Sequence, residues 1–208
     1  MWSVIVLLTG PVLAGLLSLV IHRARVLHVV NFSTMLALAV AETALTRQVL
    51  AEGSVTTLGG FVSVEALSDF VLVFITAVGL SCSLYRWSYL DDRVARGIIA
   101  PKRLGHFFFL FHMFLFAMVA ATVANSLGVQ WVALEGTTLA TTFLIAFFRR
   151  RESLEAGWKY LILCSVGIAL ALFGVVLTYY SSVRVLGDAS SALNMTALIG
   201  VANQLDPN

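Results

Sequence analysis

Residues 127–180 read LGVQWVALEGTTLATTFLIAFFRRRESLEAGWKYLILCSVGIALALFGVVLTYY. Two long apolar runs, Leu127–Phe148 and Leu154–Tyr180, flank the triplet Arg149-Arg150-Arg151. A helix needs about 20 apolar residues to cross a hydrocarbon core, and each run is long enough. Lipid offers no partner for a free N–H or C=O, so such runs are read as helices. The arginines between them mark a short turn at one membrane face.

The same pattern extends towards the N-terminus. Apolar spans are expected at Trp2–Ile21, His28–Leu50, Asp69–Trp87 and Leu104–Asn125, giving six in all. The loops alternate in charge. The first carries Arg23 and Arg25, and the third carries Arg86, Arg93, Arg96, Lys102 and Arg103. The fifth carries the arginine triplet, whereas the second, Ala51–Ser68, has Glu52 and Glu65 but no Lys or Arg. The fourth, around Asn125–Gly128, is tight and uncharged. Basic residues in every second loop predict that loops one, three and five face the cytoplasm and that both ends lie outside. The first apolar run follows Met1 directly and its charges, His22, Arg23 and Arg25, come after it, so it reads as a retained helix rather than a signal peptide.

Composition supports this. The chain has 208 residues, 60% hydrophobic and 12% charged, with a net charge of +2. A soluble domain is nearer 45–50% apolar and about 25% charged. The basic residues sit in short clusters between apolar runs, which argues for membrane orientation and against nucleic-acid binding. Cys82 and Cys164 each lie in an apolar run and read as small buried hydrophobes without metal or cluster chemistry. No metal-ligand spacing, nucleophile triad or phosphate loop is recognisable, so no cofactor and no catalytic residue is expected in this chain. Gly10-Pro11 is a candidate kink in the first span, and Asp206-Pro207-Asn208 reads as a turn.

Ionisable side chains within the spans carry the chemical signal, because each costs roughly 2.5–3.5 kcal/mol to insert at a helix centre. Glu135 lies well inside span five. At 100° per residue Thr138 and Thr142 share its face, with Ala146 continuing it, so a polar stripe runs along an apolar helix. A carboxyl beside hydroxyls can hold water and exchange a proton. Lys159 lies about one turn into span six, four residues after Glu155, and reads either as a relay lysine or as a local ion pair near the interface. Helical rise sets Glu135 and Lys159 roughly 10 Å apart along the membrane normal. His112 is mid-span in helix four, on a face of Phe108, Phe109, Leu115, Phe116 and Val119, and is either a packing residue or a relay. His106 reads as interfacial, and Glu42, with Arg47 beyond it, as a carboxylate at the outer interface.

The stretch Phe107–Tyr180, and within it WVALEGTTL and SLEAGWKY, resembles spans four to six of the antiporter-like, proton-translocating subunits of complex I, multisubunit sodium/proton antiporters and membrane-bound [NiFe] hydrogenases. Its wording is most similar to the hydrogenase-4 component F type. The resemblance implies an all-α integral membrane fold in which this chain supplies helices 1–6. Residues 1–103 would hold helices 1–3, residues 104–180 the start of the translocating repeat, and residues 181–208 an extracytoplasmic connector towards a seventh helix. It also implies that Glu135 is the helix-five glutamate of a half-channel and Lys159 the basic residue of helix six. The family's helix-seven lysine has no counterpart, so the expectation is either the front portion of a longer product or a short natural form.

The function expected is coupling of redox chemistry in partner subunits to proton, or sodium, movement. The partners would be other membrane subunits of a hydrogenase or complex I-like assembly in the inner (plasma) membrane. Glu135, Lys159 and His112 are the proton-transfer candidates, with Thr138 and Thr142 supporting. The rivals are a sodium/proton antiporter subunit without redox partners and a structural subunit with no transport role.

Overall fold

The computed structural model describes residues 2–97, 100, 103–188 and 191–202. Six helices there are long and apolar enough to cross a membrane: α1 (Trp2–Val20), α2 (Ala24–Glu52), α3 (Ala66–Ala95), α4 (Leu104–Val123), α5 (Leu127–Ile145) and α6 (Arg151–Leu186). A short α7 (Met195–Val201) follows. The all-α membrane class expected from the sequence is the class observed. Lys102 and the Asp206-Pro207-Asn208 turn lie outside the described residues.

Helices α1 to α4 close into a four-membered bundle, in which α1 packs on α2 and α4, α2 on α3, and α3 on α4. Helix α5 lies against α4 and α6 against α5, so the last two extend the bundle as a row. The main core runs down the centre of the bundle and includes Leu7, Met35, Leu38, Leu45, Leu72 and Leu115. A second, aromatic cluster of Leu27, Leu90, Leu104, Phe108 and Phe147 fills the opposite end, which is rich in arginine. Helix α6 buries little beyond Gly157 and Ser182, and its apolar side chains face outward. Helix α1 continues through Pro11 without interruption.

Several expectations need correction. Ala51–Ser68, read as a plain loop, contains an antiparallel hairpin of β1 (Ser54–Thr57) and β2 (Val62–Glu65), with Val55 paired to Val64 and Thr57 to Val62. Side chains alternate sides along a strand. Val55, Val62 and Val64 accordingly turn inward onto the core beside Val49 and Leu72, and the hairpin closes one end of the bundle. Its turn needs Gly59 (φ 67°) and Gly60 (φ 92°), since left-handed backbone carries little cost only for glycine. Arg86 and Arg93, assigned to the third loop, belong to α3, which runs on to Ala95. Helix α6 passes Tyr180 and ends at Leu186, capped by Gly187 in the left-handed region. Cys82 is exposed and Cys164 half-exposed, so neither is the buried residue expected. An apolar run in lipid has an outward face, and both thiols fall on it.

One residue ties the hairpin end together. The Asn125 amide nitrogen donates to Gly60 O at 2.7 Å and to Thr196 Oγ1 at 3.1 Å, and its side-chain oxygen accepts from Thr196 N at 3.2 Å. Its backbone N–H donates to Phe61 O, and its carbonyl accepts from Met195 N. The hairpin tip, the α4–α5 turn and α7 are thereby joined.

Candidate functional site

The stripe predicted on α5 is present. Trp131, Glu135, Thr138 and Thr142 follow one another at helical spacing. The Trp131 indole N–H donates to Ile168 O at 2.9 Å, so this face is turned towards α6. Further along, Gly157 of α6 comes close to Thr142 O and to the Ala146 side chain. On its other side α5 presses Gly136 against the Ala117 side chain of α4. Glu135 is half-buried, and no hydrogen bond or ion pair joins its carboxylate to another described residue. Thr138 Oγ1 donates to Leu134 O at 3.2 Å and Thr142 Oγ1 to Thr138 O at 2.8 Å. Each hydroxyl has spent its hydrogen on its own helix and offers only lone pairs sideways. The stripe is therefore a row of acceptors that water or a proton donor can occupy.

Lys159 and His112 lie elsewhere. Lys159 Nζ donates to Glu155 Oε1 at 2.5 Å, with both side chains largely exposed. The pairing of Trp131 with Ile168 and of Thr142 with Gly157 puts Lys159 near the level of Ala140. That is about 7.5 Å along the axis from Glu135 by helical rise, and the Lys159 ammonium is held by Glu155 instead. His112 is fully buried between α4 and α1, its Cβ close to Gly15, with the Phe111 ring edge-on at 5.8 Å. Its Nδ1 is 2.7 Å from Phe108 O. A carbonyl only accepts, so Nδ1 carries a hydrogen, and Nε2 faces the interior without a partner among the described residues. His106 lines an open cleft of about 710 Å³ with Arg103, Phe147 and Arg149 at the arginine end, consistent with its interfacial reading.

The structure also assembles polar groups that the sequence reading missed. Arg86 is buried, its guanidinium carbon 3.4 Å from the Phe111 ring centroid and 5.4 Å from that of Phe108. Its Nη1 is 3.5 Å from Asn31 Oδ1, and the Asn31 amide donates to Ser83 Oγ at 2.5 Å. Stacked aromatic faces stand in for a counter-ion here. Assigning Arg86 to a loop concealed it, although the aromatic run Phe107–Phe111 was a signal that a cation could dock there. Glu42, expected at an interface, is only 2% exposed, and it faces Asp69 of α3.

The family described as NADH:quinone oxidoreductase/Mrp antiporter, transmembrane, matches residues 124–201, which include α5, its Glu135 stripe and α6. The chain belongs to this antiporter-like superfamily. It is 35% identical over 148 residues to a hydrogenase-4 component F homolog of Methylacidiphilum infernorum, a match covering 71% of this chain and 31% of the relative. It is 35% identical over 111 residues to NADH-quinone oxidoreductase subunit N 1 of Opitutus terrae, covering 50% and 22%. A solved chain of the membrane-bound sulfane sulfur reductase, an archaeal respiratory membrane complex, shares its fold with a TM-score of 0.78 at 18% identity, covering 98% of this chain and 41% of that one. The chain thus spans a third or less of the length of these two curated relatives. The likeness of fold to that solved chain extends over α1–α4 as well as the part the family matches.

Proposed function

We propose that this chain is a proton-translocating, antiporter-like subunit that couples redox chemistry in partner subunits to proton movement across the inner (plasma) membrane. The observation that carries the reading is Glu135, a carboxylate on a row of hydroxyl acceptors within a spanning helix, inside the stretch that matches the family. Its relatives named as hydrogenase and NADH-quinone oxidoreductase components support redox partners. In this reading Glu135 takes up and releases the proton, and Thr138 and Thr142 hold the water that conducts it. Lys159, exposed beside α5, acts as an electrostatic partner once its carboxylate neighbour or the surrounding water rearranges. His112 relays through its free Nε2. Residues 104–180 begin the translocating repeat, the N-terminus lies outside, and the arginine end faces the cytoplasm.

The test is Glu135→Gln in the assembled complex, with proton uptake measured in inverted membrane vesicles and assembly checked on native gels. Normal assembly with lost pumping is expected, and intact pumping would refute the role. A sodium/proton exchange reading is favoured by one observation: 29% identity over 113 residues to one of the Na(+)/H(+) antiporter subunits of Alkalihalophilus pseudofirmus. Sodium-dependent proton release in the absence of any electron donor would select it. If Glu135→Ala lowers complex yield but leaves transport per complex unchanged, the role is structural.

A further inference from the structure

The α1–α4 bundle contains a second pair of acidic groups, unrelated to the α5 stripe and outside the stretch that matches the family. Glu42 is 2% exposed and Asp69 7% exposed. Thr46, one turn after Glu42 on the same face of α2, reaches Asp69 of α3, so both carboxyls lie in the α2–α3 interface. Asp69 Oδ1 accepts from Thr46 Oγ1 at 3.1 Å. Neither Glu42 oxygen has a hydrogen-bond partner among the described residues. On α1, whose inward face carries Ser3, Val4 and Leu7, the Ser3 hydroxyl is likewise fully buried and unpartnered. Antiparallel packing sets Gly10 beside Leu38, so Ser3 stands near the level of Leu45, about one turn beyond Glu42. The other charged residues at this end of the bundle, Arg47, Glu52 and Glu65, are exposed, and the buried Arg86 of α3 lies more than four turns beyond Asp69. Above the pair, Val55, Val62 and Val64 of the hairpin seal the bundle together with Leu45, Val49 and Leu72.

Charge balance decides what this arrangement requires. Carboxylate oxygens only accept, so two ionised carboxylates cannot hydrogen-bond to each other. In a dry interior their repulsion goes almost unscreened, and no described cation lies against them. A buried carboxylate whose two oxygens are both unpartnered is rare in a stable fold. A positive charge between the two groups removes the repulsion: a proton links one oxygen of each carboxyl, and a small metal cation can draw in an oxygen pair from both.

We propose that Glu42 and Asp69 form a closed cation site beneath the β-hairpin, holding one positive charge between them, either a proton or a sodium-sized monovalent ion, with the Thr46 hydroxyl orienting Asp69. The site is separate from Glu135, so it stands or falls independently of the proposed transport role.

Infrared spectroscopy of the full chain in lipid nanodiscs tests it, because a carboxylic C=O stretch appears only where a carboxyl keeps its proton. The band is read in sodium-free choline chloride and again in sodium chloride, for the natural chain, Glu42→Gln, Asp69→Asn and the double variant. A bound proton gives a band equivalent to one carboxylic group per chain, absent from the double variant and indifferent to sodium. A sodium site gives a band, or a melting temperature, that responds to sodium but not to choline, with the response lost in Glu42→Gln. If the natural chain shows no carboxylic band attributable to Glu42 or Asp69 without sodium, and its melting temperature ignores sodium, the proposal is overturned. Glu135→Gln, which leaves both residues in place, supplies the background free of the α5 carboxyl, so the outcome holds even if a Glu42 or Asp69 variant fails to fold.

Discussion

Gly105→Ala should loosen the bundle more than any other single methyl added to a described helical glycine. Gly105 is buried on α4 where that helix crosses α1 near the arginine end. A Cβ built there stands 2.3 Å from the Ser18 carbonyl oxygen and 3.7 Å from that of Ile21. Ordinary contact begins near 3.4 Å, and the obstacle is backbone, so no rotamer change relieves it. The two helices must part by about 1 Å, an overpacking change of the kind that costs about 1–3 kcal/mol. Alanine's better helix propensity returns about 0.5–1 kcal/mol. The net loss is expected at about 1–2 kcal/mol, a factor of about 5–30 in the folded-to-unfolded ratio. The separation also reaches Gly15, which sits against Met113 and His112 one turn away, so the His112 environment should relax with it. Equilibrium unfolding in bicelles measures the effect, with Gly167→Ala and Gly174→Ala as controls, since nothing within 4 Å meets a Cβ at either. Gly105→Ala as stable as the natural chain, or controls equally damaged, would refute the close α1–α4 crossing.

Three further outcomes are expected. Asn125→Ala removes the side-chain bonds to Gly60 and Thr196 and should cost about 1–3 kcal/mol while speeding proteolysis within residues 54–65, read by mass spectrometry of limited digests. Arg86→Lys keeps the charge but loses the planar stack on Phe111, so stability should fall by about 2 kcal/mol in the same unfolding assay, whereas Lys159→Gln, at an exposed ion pair, should change it by at most about 0.5 kcal/mol. Trp131→Phe deletes the indole bond to Ile168 O and should weaken α5–α6 packing by about 0.6 kcal/mol, detectable as faster disulfide trapping of cysteines placed on α6.

Much of the α5 stripe could be read along the chain, because Glu135, Thr138 and Thr142 belong to one helix and helical periodicity places them on one face. The local pair of Lys159 with Glu155 was readable for the same reason. His112 was legible as a buried mid-span residue, but the bond to Phe108 O that leaves Nε2 free is a matter of ring orientation. The groups that escaped notice all depend on two helices meeting. Asn31 and Arg86 are 55 residues apart, and Glu42 and Asp69 belong to different spans. The hairpin was hidden in a short, glycine-containing segment, where four-residue strands carry too few alternations to stand out.

Hydrophobic run length and the solvent decided the class of this protein before any packing was considered: apolar segments of about 20 residues must be helices in lipid, because each backbone group must find its partner within its own segment. Family membership followed from local wording on α5 and α6. Tertiary structure alone decided which polar residues are shielded, since burial is conferred by neighbouring helices and not by the residue's own segment. The closed ring of α1 to α4 is what turns Arg86 and Glu42 from expected interfacial charges into buried ones.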